Sequence, residues 1–230
     1  MKTLGMIGGT SWFSTQEYYE LINRGVAEAI GTQGNPELII YSINIELMRS
    51  RDWDKINAKY LDVAKKLEQA GAAAIVICAN TPHVVYEFVQ PKIDIPILHI
   101  AAATGQEAER LGLKKLGLLG NRPTMTGSFI SGYLQSKFEM DILIPEGNNL
   151  DKANHFVSAE LTQGKFTPEA KDFFMKEIEL LRARGADGII LGCTELPLLI
   201  KPKDVTLPTL ATTDLHAKMA VDFILRGERL

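Results

Sequence analysis

The sequence predicts an α/β fold made of two similar Rossmann-like halves, each with a parallel sheet. Three observations lead to this prediction. Short apolar runs alternate with segments of helical periodicity, glycines bound several of these runs, and the order of segments in the first half recurs in the second. The predicted halves are residues 1–104 plus 213–230 and residues 105–212. An active-site crevice is expected between them, at the carboxyl ends of their strands.

The first half begins with a strand, a loop and a helix. The loop Gly8–Ser11 follows an apolar run, and apolar residues then recur at helical spacing. Gly71 ends a later helix, and the last helix, Asp214–Leu225, is expected to return to this half. The predicted elements are strands at 3–8, 38–43, 74–77 and 95–100, and helices at 15–29, 60–70 and from Thr81 or Pro82 onward, with Thr81 as N-cap.

A repeat relates the two halves. Residues 2–8 match residues 114–120, a shift of 114 − 2 = 112. A helix that ends at Gly71 matches one that ends at Gly185, a shift of 185 − 71 = 114. Chance similarity among apolar strands is the competing explanation, but the consistent order and the near-constant shift favour two related α/β units.

The repeat also relates single positions. At the shift of 114 the counterpart of Cys193 is residue 193 − 114 = 79, which is Ala79, and Cys78 lies one residue earlier. Side chains alternate across a strand, so a one-residue offset turns the Cys78 thiol away from the crevice unless a bulge restores its direction.

Composition excludes several classes of protein. The chain of 230 residues is 46% hydrophobic and 23% charged, with a net charge of -3, so a disordered chain is not expected. It has no cluster of Lys and Arg with interleaved aromatics, which argues against nucleic-acid binding. No apolar span reaches the ~20 residues that a membrane helix needs, and no export signal is seen, so no membrane association is expected and the expected location is the cytoplasm.

The two cysteines are expected to be free thiols. A reducing compartment disfavours a disulfide, and the sequence has neither a CxxC motif nor a His pair at ligand spacing, so no metal site is expected. The early glycines do not form the G-x-G-x-x-G pattern of a dinucleotide site.

Cys193 is the main catalytic candidate. It follows the buried strand Ile189–Leu191 and precedes a helix start at Thr194–Pro197. A helix N-terminus stabilises a thiolate and binds carboxylates, so a cysteine here is a candidate reactive group. The competing interpretation is an inert cysteine in the core.

Four motifs, taken in order, resemble the aspartate/glutamate racemase family over essentially the whole chain. They are Gly8-Gly9-Thr10 with Thr15, Asn80-Thr81-Pro82-His83, Gly120 with Thr124-Met125, and Gly192-Cys193-Thr194-Glu195. The resemblance implies two Rossmann-like halves and an amino-acid racemase without pyridoxal phosphate, metal or other cofactor. It also implies a small-molecule amino-acid substrate and a homodimer.

In that family, paired cysteines flank the α-carbon of the substrate, one from each half. Inverting the α-carbon requires a proton to leave one face and another to arrive on the opposite face, so a thiolate stands opposite a thiol. The family's first cysteine directly precedes Asn-Thr, where this chain has Ala79. Resemblance and repeat therefore agree that Ala79 occupies the usual thiol position, and Cys78 is the second catalytic candidate.

The resemblance also implies substrate-binding residues. Asn80, Thr81 and Thr194 resemble the cradle for the α-carboxylate, and Thr124 resembles a loop threonine that contacts substrate. Basic residues would bind a second carboxylate, and Thr10 replaces a methionine in the pocket wall. Each residue also has a structural alternative, since Thr and Asn commonly cap helices and basic side chains are commonly solvated. The predicted set is Thr10, Arg49, Arg51, Asn80, Thr81, Thr124, Lys165 and Thr194.

Two other functions stay open. A decarboxylase or isomerase of the same superfamily needs only one cysteine, which would suit a site without Cys at position 79. A binding protein could keep the amino-acid cradle and have little turnover. The remaining histidines, His99, His155 and His216, are interpreted as isolated and as structural or exposed.

Overall fold

The structure is a computed structural model that describes residues 1–225. It divides into two compact units, one formed by residues 1–99 together with residues 216–225, the other by residues 100–215. The sequence predicted that the chain passes from one half to the other after residues 104 and 212. The helix that begins at Ile100 packs in the second unit, so the first boundary lies after residue 99 and not after residue 104. Residues 226–230, which were assigned to the first half, lie outside the described residues.

The first unit contains four strands and five helices among the described residues. The strands are β1 (Leu4–Gly8), β2 (Leu38–Ser42), β3 (Ala74–Ile77) and β4 (Ile97–Leu98). The helices are α1 (Trp12–Ile30), α2 (Glu46–Arg49), α3 (Trp53–Gln69) and α4 (Tyr86–Val89), with α11 (Thr212–Leu225) returning to this unit from His216.

The second unit repeats this alternation. Its strands are β5 (Lys115–Leu119), β6 (Asp141–Leu143), β7 (Gly188–Leu191) and β8 (Thr209–Ala211). Its helices are α5 (Ile100–Arg110), α6 (Arg122–Thr126), α7 (Ser128–Phe138), α8 (Asn148–His155), α9 (Pro168–Ala183) and α10 (Leu196–Leu199).

Each unit is built on a four-stranded, fully parallel sheet. The strand orders are β2-β1-β3-β4 and β6-β5-β7-β8, so the predicted α/β class is confirmed. In both sheets the strand order reverses beside the first strand of the unit. A crevice forms outside the carboxyl ends of the strands at such a point. We call these the first switch point, at the ends of β1 and β3, and the second switch point, at the ends of β5 and β7.

Helices cover both faces of each sheet, which explains why the strands are apolar throughout. In the first unit Met6 and Val76 face α1 and α11, whereas Ile7 and Ile77 face α3. Burying both faces of a parallel sheet removes the polar alternation of a half-exposed strand. No helix within residues 1–225 is long and apolar enough to cross a membrane.

Several boundaries differ from the sequence-based expectation. Helix α3 begins at Trp53 because the Asp52 side chain caps it by accepting a hydrogen bond from the Lys55 amide. The segment Thr81–Val85 is a 3-10 helix without a side-chain cap, so the predicted N-cap role of Thr81 is wrong. Strand β4 is limited to two residues.

Candidate active site

The strand registers define equivalent positions at the two switch points. The amide of Cys78 donates to the carbonyl of Ile7, and the amide of Gly192 donates to the carbonyl of Leu119, at 2.9 and 2.7 Å. Ile7 and Leu119 are themselves equivalent under the 112-residue shift. Cys78 therefore corresponds to Gly192 in the sheets, and the next residues, Ala79 and Cys193, correspond to each other.

The solvent exposure of these four residues agrees with the correspondence between the two sheets. Cys78 and Gly192 are buried, whereas Ala79 and Cys193 are both partly exposed. The Cys78 side chain, 1% exposed, packs in the core with Met6 and Tyr18. This burial raises the pKa of the Cys78 thiol, so it stays protonated and is a poor proton-transfer group.

Glycines make room at both switch points. A Cβ on Gly8 would lie 2.5 Å from Thr15 Cγ2, and one on Gly192 would lie 2.9 Å from Thr124 Cγ2. Thr15 Oγ1 accepts a hydrogen bond from the Gly9 amide at 2.9 Å. Side chains from the following helices thus pack directly on the ends of the central strands.

The Cys193 thiol is hydrogen-bonded to the Glu195 side chain. The thiol donates this hydrogen bond to the Glu195 carboxylate, two residues further along the chain. Its partly buried position, followed by the charge and hydrogen bond of Glu195, raises the pKa of Cys193 well above its usual value, although the Glu195 and Leu196 amides oppose this. The helix that follows, α10, has only four residues and no side-chain cap. A pKa raised in this way favours the thiol over the thiolate in the resting state.

Three buried side-chain oxygen atoms among residues 1–225 lack a hydrogen-bond partner. They are Asn80 Oδ1, Thr124 Oγ1 and Thr213 Oγ1. Asn80 follows Ala79 at the first switch point, and Thr124 packs at the second. Thr213 is the second residue of α11, two residues after the end of β8, in the same unit as Cys193. Unpaired buried polar atoms are costly, so these three atoms mark places where a polar ligand would fit.

The comparison with known proteins identifies the family. The sequence model of the family described as Asp/Glu/Hydantoin racemase matches residues 7–220. This chain belongs to that family. The Asp/Glu/hydantoin racemase match confirms the resemblance that the motifs predict.

Similar racemase-family proteins cover the whole chain. A structure of a Yersinia pestis protein assigned as an Asp/Glu racemase is 36% identical, with a TM-score of 0.94, and the match covers 98% of this chain and 100% of that one. An aspartate racemase homologue from Pyrococcus horikoshii OT3 is 35% identical, with a TM-score of 0.88 and coverage of 97% and 99%. The broad specificity amino-acid racemase RacX from Bacillus subtilis (strain 168) is 25% identical over 233 residues, covering 96% of this chain and 98% of RacX.

The predicted binding residues of this racemase-family chain lie in both units. Asn80 and Thr81 follow β3, whereas Thr124 and Thr194 lie at the second switch point. Thr10 follows β1, and its hydroxyl lies 3.0 Å from the Tyr60 hydroxyl.

The predicted basic residues differ in their surroundings. Arg49 is exposed and paired with Glu46 at 2.8 Å. Arg51 is exposed and has a φ of 54°, an uncommon conformation for a residue with a side chain. Lys165 is exposed in the second unit, after the left-handed turn at Gly164.

Sequence reasoning missed two candidate residues, Glu195 and Thr213. Glu195 was quoted only as part of a motif, and its position two residues after Cys193 was the available signal. Thr213 follows the last strand of the second unit, which was the signal for a sheet-edge residue.

The interpretation of the histidines as isolated is wrong for two of them. His99 and His216 are buried with His83 in one cluster of the first unit. The ring of His83 lies 4.9 Å from that of His99 and 5.4 Å from that of His216, between centroids. Tyr86 packs edge-on against His99 at 4.6 Å. His155 is exposed, as one of the two expected alternatives.

This cluster predicts that the protein loses stability in mild acid. Burial lowers the pKa of His83 to about 4, of His216 to about 3 and of His99 to about 2. Between pH ~6.5, where an unfolded histidine titrates, and pH ~4 the unfolded chain binds more protons, so stability falls as pH falls. Each histidine should lower the unfolding free energy by roughly 2 kcal/mol between pH 7 and pH 4.5, measured by urea unfolding.

Two variants separate this effect from general acid sensitivity. His99→Phe should weaken the pH dependence because it removes one buried imidazole while keeping a ring. His155→Asn should leave it unchanged. Equal unfolding free energies of the wild type at pH 7 and pH 4.5 would contradict the prediction.

Proposed function

We propose that the protein is an amino-acid racemase that moves a proton at the α-carbon of aspartate, glutamate or a related amino acid. The observation that carries this proposal is the thiol–carboxylate pair of Cys193 and Glu195 at the second switch point. Membership of the racemase family supports the reaction class.

Cys193 acts as the acid and base on one face of the substrate. In the resting state its thiol holds a proton that it can deliver to a carbanion at the α-carbon. In the opposite direction the thiol first passes this proton to the Glu195 carboxylate, and the resulting thiolate removes the α-proton. Protons balance in both directions, because the Glu195 carboxylate holds the thiol proton while the thiolate acts on the α-carbon.

The unpartnered polar atoms supply the binding part of the site. In the first unit, Asn80 Oδ1 is an acceptor that suits a substrate ammonium group. In the second unit, the hydroxyls of Thr124 and Thr213 are donors that suit a substrate carboxylate.

The other face has no positioned thiol in this proposal. Ala79 corresponds to Cys193 in the sheet register, and Cys78 packs in the core. We therefore propose slow turnover, or turnover confined to one substrate enantiomer. A decarboxylase or isomerase with a single cysteine is the second candidate, because it needs a protonating group on one face only.

Proton exchange in D₂O tests the proposed function. The L- and D-forms of aspartate and glutamate are incubated with the protein, and deuterium at the α-carbon and inversion are followed by NMR and chiral chromatography. We expect exchange, with slow inversion or none for one enantiomer. Loss of CO₂ would support the decarboxylase instead. Tight binding with neither exchange nor CO₂ release would overturn the proposal in favour of a binding protein.

The proposed substrate is a dicarboxylic amino acid, and Arg51 is the predicted ligand of its side chain. Arg51 has no ion pair within residues 1–225, and its uncommon backbone conformation is typical of functional segments. Aspartate or glutamate at ~100 times Kd should raise Tm by roughly 5 °C, and alanine at the same concentration should raise it less.

Arg49→Gln is the matched control for Arg51→Gln. The guanidinium of Arg49 is already paired with Glu46, so its loss should change the Tm shift little, whereas Arg51→Gln should abolish the preference for aspartate over alanine. Equal Tm shifts for acidic and apolar amino acids in the wild type would refute the substrate class.

A further inference from the structure

We propose that His83 is a positioning residue that holds the turn Cys78–Thr81 in the shape that presents Asn80 and Thr81 to the substrate carboxylate and ammonium groups. This inference rests on the proposed function. His83 touches the turn and not the substrate, so its role differs from that of Cys193.

His83 is hydrogen-bonded directly to the turn Cys78–Thr81. Its Nδ1 lies 2.9 Å from the Ala79 carbonyl and 3.2 Å from the Asn80 carbonyl, and its backbone amide donates to the Asn80 carbonyl at 3.1 Å. Both of these partners are carbonyl oxygens, so Nδ1 carries the proton and donates to them, and the Leu98 carbonyl is a further hydrogen-bond partner of the His83 ring. The His83 side chain is 1% exposed, which shields these bonds from water.

Other hydrogen bonds also stabilise the conformation of this turn. The Ser14 hydroxyl donates to the Cys78 carbonyl at 2.7 Å, and the Ala79 amide donates to the Ile77 carbonyl at 2.8 Å, which makes a tight turn centred on Cys78. The carbonyls of Cys78, Ala79 and Asn80 are therefore all directed into the protein. Within the described residues, the amides of Asn80 and Thr81 donate to no protein acceptor and Asn80 Oδ1 is unpartnered, so these groups are available to a ligand.

Two other histidines pack against the His83 ring, but the hydrogen bonds that orient this ring toward the turn come from its own Nδ1. The rings of His99 and His216 pack against it at steep angles of 66° and 65°. His216 is itself immobilised, because its Nε2 donates to the Leu98 carbonyl at 2.7 Å and its Nδ1 accepts from the Tyr18 hydroxyl at 2.8 Å. Burial keeps His83 neutral by lowering its pKa to about 4, so a neutral Nδ1–H donor persists through the physiological range.

Two substitutions distinguish a positioning role from simple packing. In His83→Asn the side-chain amide nitrogen occupies the place of Nδ1 and can still donate to the Ala79 carbonyl. In His83→Gln it lies one bond further out, near the place of Nε2. We expect KM for the amino acid to rise about tenfold in His83→Gln, with a smaller change in kcat, and to stay within about threefold of the wild type in His83→Asn.

His216→Leu is the packing control, because His216 lies in the same cluster and its hydrogen bonds go to Tyr18 and Leu98. It should lower stability while leaving KM near the wild-type value at a temperature where all variants are folded. Equal KM values for His83→Asn and His83→Gln, or an equal rise in His216→Leu, would overturn the proposal.

Amide hydrogen exchange gives a readout that does not depend on turnover. Peptides that cover residues 78–83 should exchange at least about tenfold faster in His83→Gln than in His83→Asn. If the wild type shows no exchange at the substrate α-carbon, the proposed function fails, but the amide exchange still tests the role of His83. Equal protection of this segment in both variants would refute that role.

Discussion

Replacing Cys193 by serine should reduce deuterium exchange at the substrate α-carbon by about a thousandfold or more. A serine hydroxyl is too weak an acid and base to replace the thiol, and general acid–base catalysis contributes roughly 10²–10⁴ in rate. The substitution removes no large apolar group, so circular dichroism and Tm should stay close to those of the wild type. Exchange is measured by NMR in D₂O under the conditions used for the wild type.

Cys78→Ala is the matched control for Cys193→Ser. The Cys78 thiol packs in the core, and burial raises its pKa, so its removal should cost some stability and leave exchange largely intact. If Cys78→Ala abolished exchange and Cys193→Ser retained it, the assignment of the acid/base would be wrong.

Glu195→Gln tests how the thiol is activated. The Glu195 carboxylate helps to raise the pKa of Cys193, so its removal should lower that pKa and accelerate alkylation by iodoacetamide at neutral pH. The same variant should slow exchange, because the carboxylate that accepts the thiol proton is lost. Slower alkylation in Glu195→Gln would contradict the proposed pair.

Ala79→Cys should raise the rate of inversion by on the order of a hundredfold. Position 79 corresponds to Cys193 in the sheet register and is partly exposed, so a thiol can be placed there without entering the core. The family resemblance implies that inversion uses one thiol from each half, and Ala79→Cys tests whether a thiol at position 79 can serve as the second one. The racemisation of L- and D-aspartate is followed by chiral chromatography.

Ala79→Ser is the control for this gain. Serine has nearly the same size as cysteine, but its hydroxyl is a far weaker acid than a thiol. Ala79→Ser should therefore not raise the rate of inversion. Combining Ala79→Cys with Cys78→Ala should preserve the gain, because the buried thiol takes no part. If Ala79→Cys leaves inversion unchanged while the protein stays folded, position 79 is not the second proton-transfer position.

The sequence by itself determined the α/β class, the repeat and the location of Cys193. These follow from short-range patterns, because a strand buried on both faces needs a continuous apolar run and a tight turn needs glycine. Met6, Ile7 and Gly8 show this directly, since they lie in the apolar run that forms β1. The 114-residue shift that pairs Ala79 with Cys193 was also readable from the sequence, and the strand registers have the same correspondence.

Only the tertiary structure decided which polar groups meet. His216 is more than a hundred residues from His83 and His99, and the three meet because α11 packs beside the segments that follow β3 and β4 in one unit. The pKa of Cys193 depends on burial and on where the Glu195 carboxylate points, neither of which the local sequence pattern shows. Long-range packing sets desolvation and side-chain direction, whereas periodicity and turn residues report only on the local backbone.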